Sequence, residues 1–451
     1  MVWSRHGPVP VLFDLPFLKL GKLFVSPDFT LSFQPALLTA ALVTILFLWL
    51  RKLCSPGMSL FLSLTAAFGT MLWPYAYISL ETKQSFFVLL AGYLTLGGRK
   101  ILSWPRLLLF ATVCGLAITV KSTGIVLCPV ITYFIFTQFQ DDWRVRRSQI
   151  VVTVLIVGAI WTLGHWGSNQ YWGPRGGGAA SIRMWLIDSP LQFFINVIGI
   201  LGSPTKGLFV YAPVLLASLY AVPRAFRTHR SIAIFALLVA GCTLGFLCVM
   251  KFPADDVWGC RYMHLAIAPL ILCIGAAFPR FRWRRDVLLV ALALIGVCVS
   301  FLGAFYYYGL QEFAAKQVDQ NTVEWMVGDE DWNQILFNAR LFRVWAAGGS
   351  GSVSWSAQHI WAWSPPPEPM QWKSLDLIKL CQPQSFMFRY WRVPLTGIAR
   401  GIFIIYVTSA ICGLLLLAWA ISRAVSERGA PAGEATSFGP EKSRARLISK
   451  V

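Results

Sequence analysis

The sequence predicts an all-α polytopic membrane protein, a bundle of about eleven transmembrane helices with exoplasmic loops, and three observations predict it. Of 451 residues, 56% are hydrophobic and 13% are charged, about half the charge of ordinary soluble domains. The apolar residues gather into long runs, as helices that satisfy their own backbone inside a bilayer require. The basic residues behind the net charge of +19 sit in short clusters between those runs. That spacing belongs to a membrane protein and speaks against a nucleic-acid partner.

In chain order the runs fall at 31–50, 58–78, 84–97, 107–120, 122–139, 149–165, 207–222, 231–250, 262–278, 287–308 and 401–422. Several reach the roughly 20 residues that cross the hydrocarbon core. The 84–97 run is short, and 107–139 reads as two helices parted at Lys121–Ser122. Basic clusters occupy every second connection: Arg51/Lys52, Arg99/Lys100/Arg106, Arg144/Arg146/Arg147, Arg224/Arg227/Arg230, Arg280 to Arg285, and the tail after Arg423. The positive-inside rule puts these in the cytoplasm. The expected layout is an exoplasmic segment 1–30, a ten-span core 31–308, a tryptophan-rich exoplasmic region 309–400, a last span 401–422, and a disordered basic cytoplasmic tail 423–451.

Seven of the ten cysteines (Cys114, Cys128, Cys242, Cys248, Cys273, Cys298 and Cys412) fall in spans, where a free thiol acts as a small apolar group. Cys260 and Cys381 both lie outside, which leaves one disulfide between them open. No CxxC pair, His-rich tract or P-loop occurs. No cofactor is therefore expected, with a divalent metal left open.

The runs contain no Asp or Glu, whereas ion-coupled transporters keep carboxylates within the membrane. Long connections all fall on the outside, so the chemistry is expected there. Four segments carry polar residues at the membrane boundary: Trp73-Pro74-Tyr75 to Glu81-Thr82-Lys83, Val120-Lys121-Ser122-Thr123-Gly124, Gly202 to Pro213 with Lys206 and Tyr211, and Asp255-Asp256-Val257-Trp258-Gly259-Cys260-Arg261-Tyr262-Met263-His264. Taken singly, the aromatics read as interfacial belt residues and the cations as snorkelling side chains. Lys121 resists that reading because it interrupts an apolar stretch. Converging at one depth, Lys121, Lys206, Arg261 and Glu81 would hold an anionic lipid headgroup, the lysines as point charges and the arginine as a fork.

In this order the four segments resemble the bacterial branch of the GT-C glycosyltransferases, which includes aminoarabinose transferase, protein O-mannosyltransferases and rhizobial galacturonosyl transferases. The likeness rests on Trp73-Pro74-Tyr75…Glu81, Val120-Lys121-Ser122-Thr123, Ser203-Pro204-Thr205-Lys206-Gly207-Leu208-Phe209-Val210-Tyr211-Ala212-Pro213, and Trp258-Gly259-Cys260-Arg261-Tyr262…Pro269. The stretch from Arg5-His6-Gly7-Pro8 to Leu15-Pro16-Phe17-Leu18 also looks like the family's Y-G-x-x-x-L-L-x-L-P-F-Y segment. Together these cover roughly residues 3–310.

The resemblance implies transfer of a sugar from a polyprenyl-phosphate carrier to a lipid, glycan or protein acceptor at the outer face of the plasma (inner) membrane. It implies donor phosphate contacts from Lys121, Lys206 and Arg261, and donor or acceptor contacts from Tyr75, Glu81, Tyr211, Trp258 and Tyr262. The family's catalytic carboxylate follows its first helix, and this chain is expected to begin after that helix and loop. Glu81 is then the best remaining catalytic candidate, with Asp255 and Asp256 behind it. Lys121 stands where the family has arginine, and Ser122 where it has proline.

Displacing a polyprenyl phosphate builds charge on the departing group, which preorganised cations stabilise. A carboxylate would take the acceptor proton. The eight tryptophans from Trp325 to Trp391 would stack on sugar rings or rest at the interface. A flippase for a lipid-linked sugar and a non-catalytic lipid-binding relative are the rival readings.

Overall fold

The computed structural model describes residues 8–24, 31, 33–77, 79–97, 103–139, 146–166, 186–250, 258–281 and 283–305, with short pieces between 334 and 342 and between 408 and 419. Among these residues the chain is helical, and the one β feature is an isolated bridge between Leu186 and Met250. Asp255, Asp256, Cys381, the basic tail and most of the tryptophan-rich region lie outside the described residues.

The first helix, α1 (Pro8–Phe24), falls in the expected exoplasmic segment. It is followed by α2 (Phe33–Leu50), α3 (Pro56–Phe68), α4 (Ser79–Gly92), α5 (Trp104–Thr119), α6 (Cys128–Phe139) and α7 (Arg147–Trp166). Next come α8 (Pro190–Gly202), the single turn α9 (Leu208–Tyr211), α10 (Ala217–Thr228), α11 (Arg230–Cys248), α12 (His264–Ala277) and α13 (Trp283–Phe305). Among the described residues, four helices are long and apolar enough to cross a membrane: Phe33–Leu50, Arg147–Gly164, Arg230–Cys248 and Asp286–Phe305. They coincide with four of the expected spans. The chain is an all-α membrane protein.

Helix α12 forms the centre: every residue from His264 to Ala277 is buried. It packs against α2, α3, α4, α10 and α11. Its small residues Ala266, Ala268, Gly275, Ala276 and Ala277 allow neighbouring backbones to come close, as association within a bilayer requires. Trp49 of α2 stacks on Phe235 of α11 with ring centroids 5.8 Å apart, so those helices also meet near the core. In the turn after α2, Lys52 donates to the Gly97 carbonyl and lies 4.7 Å from the Tyr93 ring centre, fastening the end of α4.

Three expected boundaries shift. The 58–78 run is helical only to Phe68 and resumes as a short 3₁₀ turn at Pro74–Tyr77. Pro74 has no N–H and disfavours helical backbone at the residue before it. The 207–222 run breaks at Ala212, whose φ of −142° and ψ of 69° are non-helical ahead of Pro213. The last core helix begins at Trp283, before the expected 287, and takes Asp286 into its first turn. Asp286 is buried, so the reading that helical runs hold no carboxylate is corrected there. A helix N-terminus suits that negative charge.

Candidate functional site

The α5–α6 interruption supplies the first functional side chain. Lys121 has extended backbone (φ −132°, ψ 139°) between the end of α5 and a 3₁₀ turn at Ser122–Leu127. Gly124 makes this fold possible. Its N–H donates to the Lys121 carbonyl at 2.8 Å, and a Cβ there would sit 2.1 Å from the Ile118 carbonyl oxygen. The tight return turns the Lys121 side chain inward, where it is buried.

There it meets Glu81, in the first turn of α4. Lys121 Nζ donates to Glu81 Oε1 at 2.7 Å. Arg261 Nε approaches the same oxygen at 3.1 Å. The side chains of Glu81 and Lys121 are 1% and 3% exposed and that of Arg261 is 22%, so the arginine is the member of this trio that reaches the surface. The second oxygen, Glu81 Oε2, is buried without a hydrogen-bond partner. Tyr262 adds its ring: Lys121 Nζ lies 3.8 Å from the centroid and Arg261 Cζ 5.0 Å, with an Arg261 Nη2 bond to the Tyr262 hydroxyl at 3.2 Å. Two cations therefore share one carboxylate oxygen and one aromatic ring, an arrangement worth more where water is excluded.

Lys206 is also buried, in the turn where the Gly207 N–H donates to the Ser203 carbonyl at 2.7 Å. Its charge acts on the Cys260 thiol, which neighbours Arg261 in the chain. Cys260 is itself buried. The structure thus brings Glu81, Lys121 and Arg261 into contact, with Lys206 near Cys260.

The remaining aromatics hold the loops together. Tyr75 and Tyr211 are fully buried and Trp258 nearly so, so none stands in an interfacial belt. The Tyr75 hydroxyl donates to the Trp258 carbonyl at 2.8 Å, and the Tyr211 hydroxyl donates to the Thr205 carbonyl at 2.7 Å. Tyr211 and Trp258 pack edge to face, 5.1 Å apart. Gly259 adopts φ +58°, a left-handed conformation that glycine takes without a Cβ penalty. Its N–H donates to Gln334 Oε1 at 3.0 Å, bringing a residue of the tryptophan-rich region onto the site.

Two features escaped the sequence reading. His264 Nδ1 is 2.7 Å from Ser85 Oγ, and His264 Nε2 is buried with no hydrogen-bond partner. Ser85 lies one helical turn after Glu81, and that i, i+4 spacing was the available signal. A second ion pair joins buried Lys83 to half-buried Asp14 of α1 at 2.5 Å. With Gln34 donating to the Phe13 carbonyl at 2.6 Å, it ties α1 to the bundle.

Among the described residues no three His, Cys, Asp or Glu side chains gather to hold a metal. No protein-family model, curated protein or solved structure matches the chain.

Proposed function

We propose that this chain is an integral-membrane glycosyltransferase that takes a sugar from a polyprenyl-phosphate carrier and passes it to a lipid, glycan or protein acceptor at the outer face of the plasma membrane. The observation that carries the reading is the Glu81–Lys121–Arg261 cluster. One carboxylate faces two cations, assembled from segments up to 180 positions apart in the sequence. In this reading an anionic phosphate reaches the cluster at Arg261, the more exposed of the cations, with Lys121 behind it and Lys206 near Cys260. Charge developing on the departing carrier phosphate meets donors already in place. Tyr262, beneath both cations, is positioned to meet the donor.

Glu81 takes a different part from the one the resemblance suggests. A carboxylate oxygen shared by Lys121 and Arg261 serves as their counter-ion, so Glu81 positions the cations. Tyr75, Tyr211 and Trp258 act as scaffold in this reading, since they are buried. The proposal also carries the finer topology: eleven spans, residues 309–400 outside and the C-terminus in the cytoplasm.

One observation favours a second reading, a lipid-binding relative without catalysis: the described carboxylates Glu81 and Asp14 both face cations. The experiment uses the purified full chain in liposomes with a radiolabelled sugar on polyprenyl phosphate and native membrane lipids as acceptors. Transfer of label to an acceptor supports the enzyme. Saturable binding without transfer supports the second reading, and transbilayer movement of intact donor supports a flippase.

A further inference from the structure

Helix α8 lies in a connection the sequence reading placed outside the membrane, and its polarity is the reverse of what water demands. Leu191, Phe194, Ile195 and Ile198 follow the i, i+3, i+4, i+7 pattern of one helical face. They are 67%, 63%, 52% and 71% exposed. The opposite face carries the polar residues and turns them inward. Gln192 Nε2 donates to Asn196 Oδ1 at 2.9 Å, and Asn196 Nδ2 donates to the carbonyls of Cys248 and Met250 at 3.1 and 2.9 Å. Cys248 is the last residue of α11, so one buried side chain satisfies carbonyls that a helix end leaves without intrahelical partners. Such care is needed where water cannot serve them.

The helix is 13 residues long, about 20 Å at 1.5 Å per residue, against a hydrocarbon core of about 30 Å. Both its ends belong to one side. Before it, Ile187 N–H donates to the Val249 carbonyl at 3.1 Å, beside the C-terminus of α11. After it, the chain enters the Ser203–Gly207 turn and reaches Tyr211, which packs on Trp258. The surface on which α8 sits is that of α11, a helix long and apolar enough to span, so the exposed stripe continues the side of that span.

We infer that α8 is an interfacial helix, lying along the bilayer at the face that holds Glu81 and Arg261, with its Leu191–Phe194–Ile195–Ile198 stripe against lipid hydrocarbon. The occupant is bilayer lipid, because the stripe is wholly apolar, borders a membrane span and is backed by polar groups satisfied internally.

The test places a photoreactive benzophenone amino acid singly at Phe194, Ile198 and, as control, Lys52 in the full chain. The protein is reconstituted in phosphatidylcholine vesicles with tritiated acyl chains and illuminated. Label is expected on the protein from positions 194 and 198, at least several-fold above position 52. Cross-linking of 194 and 198 to a second copy, or to another segment of the same chain, would overturn the inference. So would acyl-chain label at positions 194 and 198 no higher than at position 52.

Discussion

Tyr75 and Trp258 stand 183 positions apart, yet the tyrosine hydroxyl donates a 2.8 Å hydrogen bond to the tryptophan carbonyl in a fully buried setting. This bond fixes the loop before α4 to the loop before α12, and those loops deliver Glu81 and Arg261. Tyr75→Phe leaves a buried carbonyl without its donor, which costs roughly 1–3 kcal/mol. A lowered unfolding midpoint in detergent is expected, with a further loss of Glu81–Arg261 alignment seen as weaker phosphate binding. An unchanged midpoint would show that the two loops are held by other contacts.

The Lys121 turn depends on a residue without a side chain. Gly124→Ala would place a carbon 2.1 Å from the Ile118 carbonyl oxygen, so that variant should fail to accumulate as folded protein. Gly158 of α7 has nothing within 4 Å of a built Cβ. Gly158→Ala should be neutral or stabilising by about 0.5–1 kcal/mol through helix propensity. Size-exclusion profiles and melting midpoints of both variants check the contrast.

The shared oxygen of Glu81 sets an order among charge deletions. Glu81→Gln leaves Lys121 and Arg261 without their common counter-ion, and breaking a buried pair in this way costs roughly 3–5 kcal/mol. Lys121→Met leaves Arg261 on Glu81 and should cost less. Denaturation midpoints of the two variants decide the matter: a larger loss in Lys121→Met would reverse the counter-ion assignment.

Cys54 lies in the turn after α2, bonded through its sulfur to the Leu50 carbonyl and to Ser59 Oγ. Burial pushes its thiol up to about 11, with the Ser59 bond and Arg51 pulling the other way. The thiolate is the reactive form. At pH 8 a group of this pKa is roughly one part in a thousand ionised. Alkylation of Cys54 should therefore be slow at pH 8 and rise about tenfold per pH unit up to 11. Rapid modification at pH 7, read by mass spectrometry of the Cys54 peptide, would contradict the packing of this turn.

Some of the site was legible because the sequence violated a local rule. Lys121 could be singled out as a cation inside an apolar stretch, and Glu81 and Arg261 because they stood beside Pro, Gly and aromatic residues at span ends. Their contact was not legible. It depends on the direction in which Gly124 returns the chain, and 40 positions separate Glu81 from Lys121. Hydropathy located α2, α7, α11 and α13, since each is a long run that lipid alone explains. It ran through Phe68 and Ala212, where Gly69 caps one helix and Pro213 breaks the other while the surroundings stay apolar. The Asp14–Lys83 pair and the His264–Ser85 bond were hidden for a third reason: polar partners in a bundle are chosen by which faces meet, and period alone does not say which.

In the proposed function Arg261, held by Glu81, binds the carrier phosphate. The most direct measurement is equilibrium binding of polyprenyl phosphate in detergent to the wild-type chain, Arg261→Lys and Arg261→Ala, with a melting curve for each. A charge-assisted contact is worth roughly 1.5–3 kcal/mol, and one decade of affinity is about 1.4 kcal/mol. Binding about ten- to a hundred-fold weaker is expected for Arg261→Ala, with partial recovery in Arg261→Lys because a point charge replaces a fork. Binding by Arg261→Ala equal to wild type, in protein that melts normally, would contradict that role.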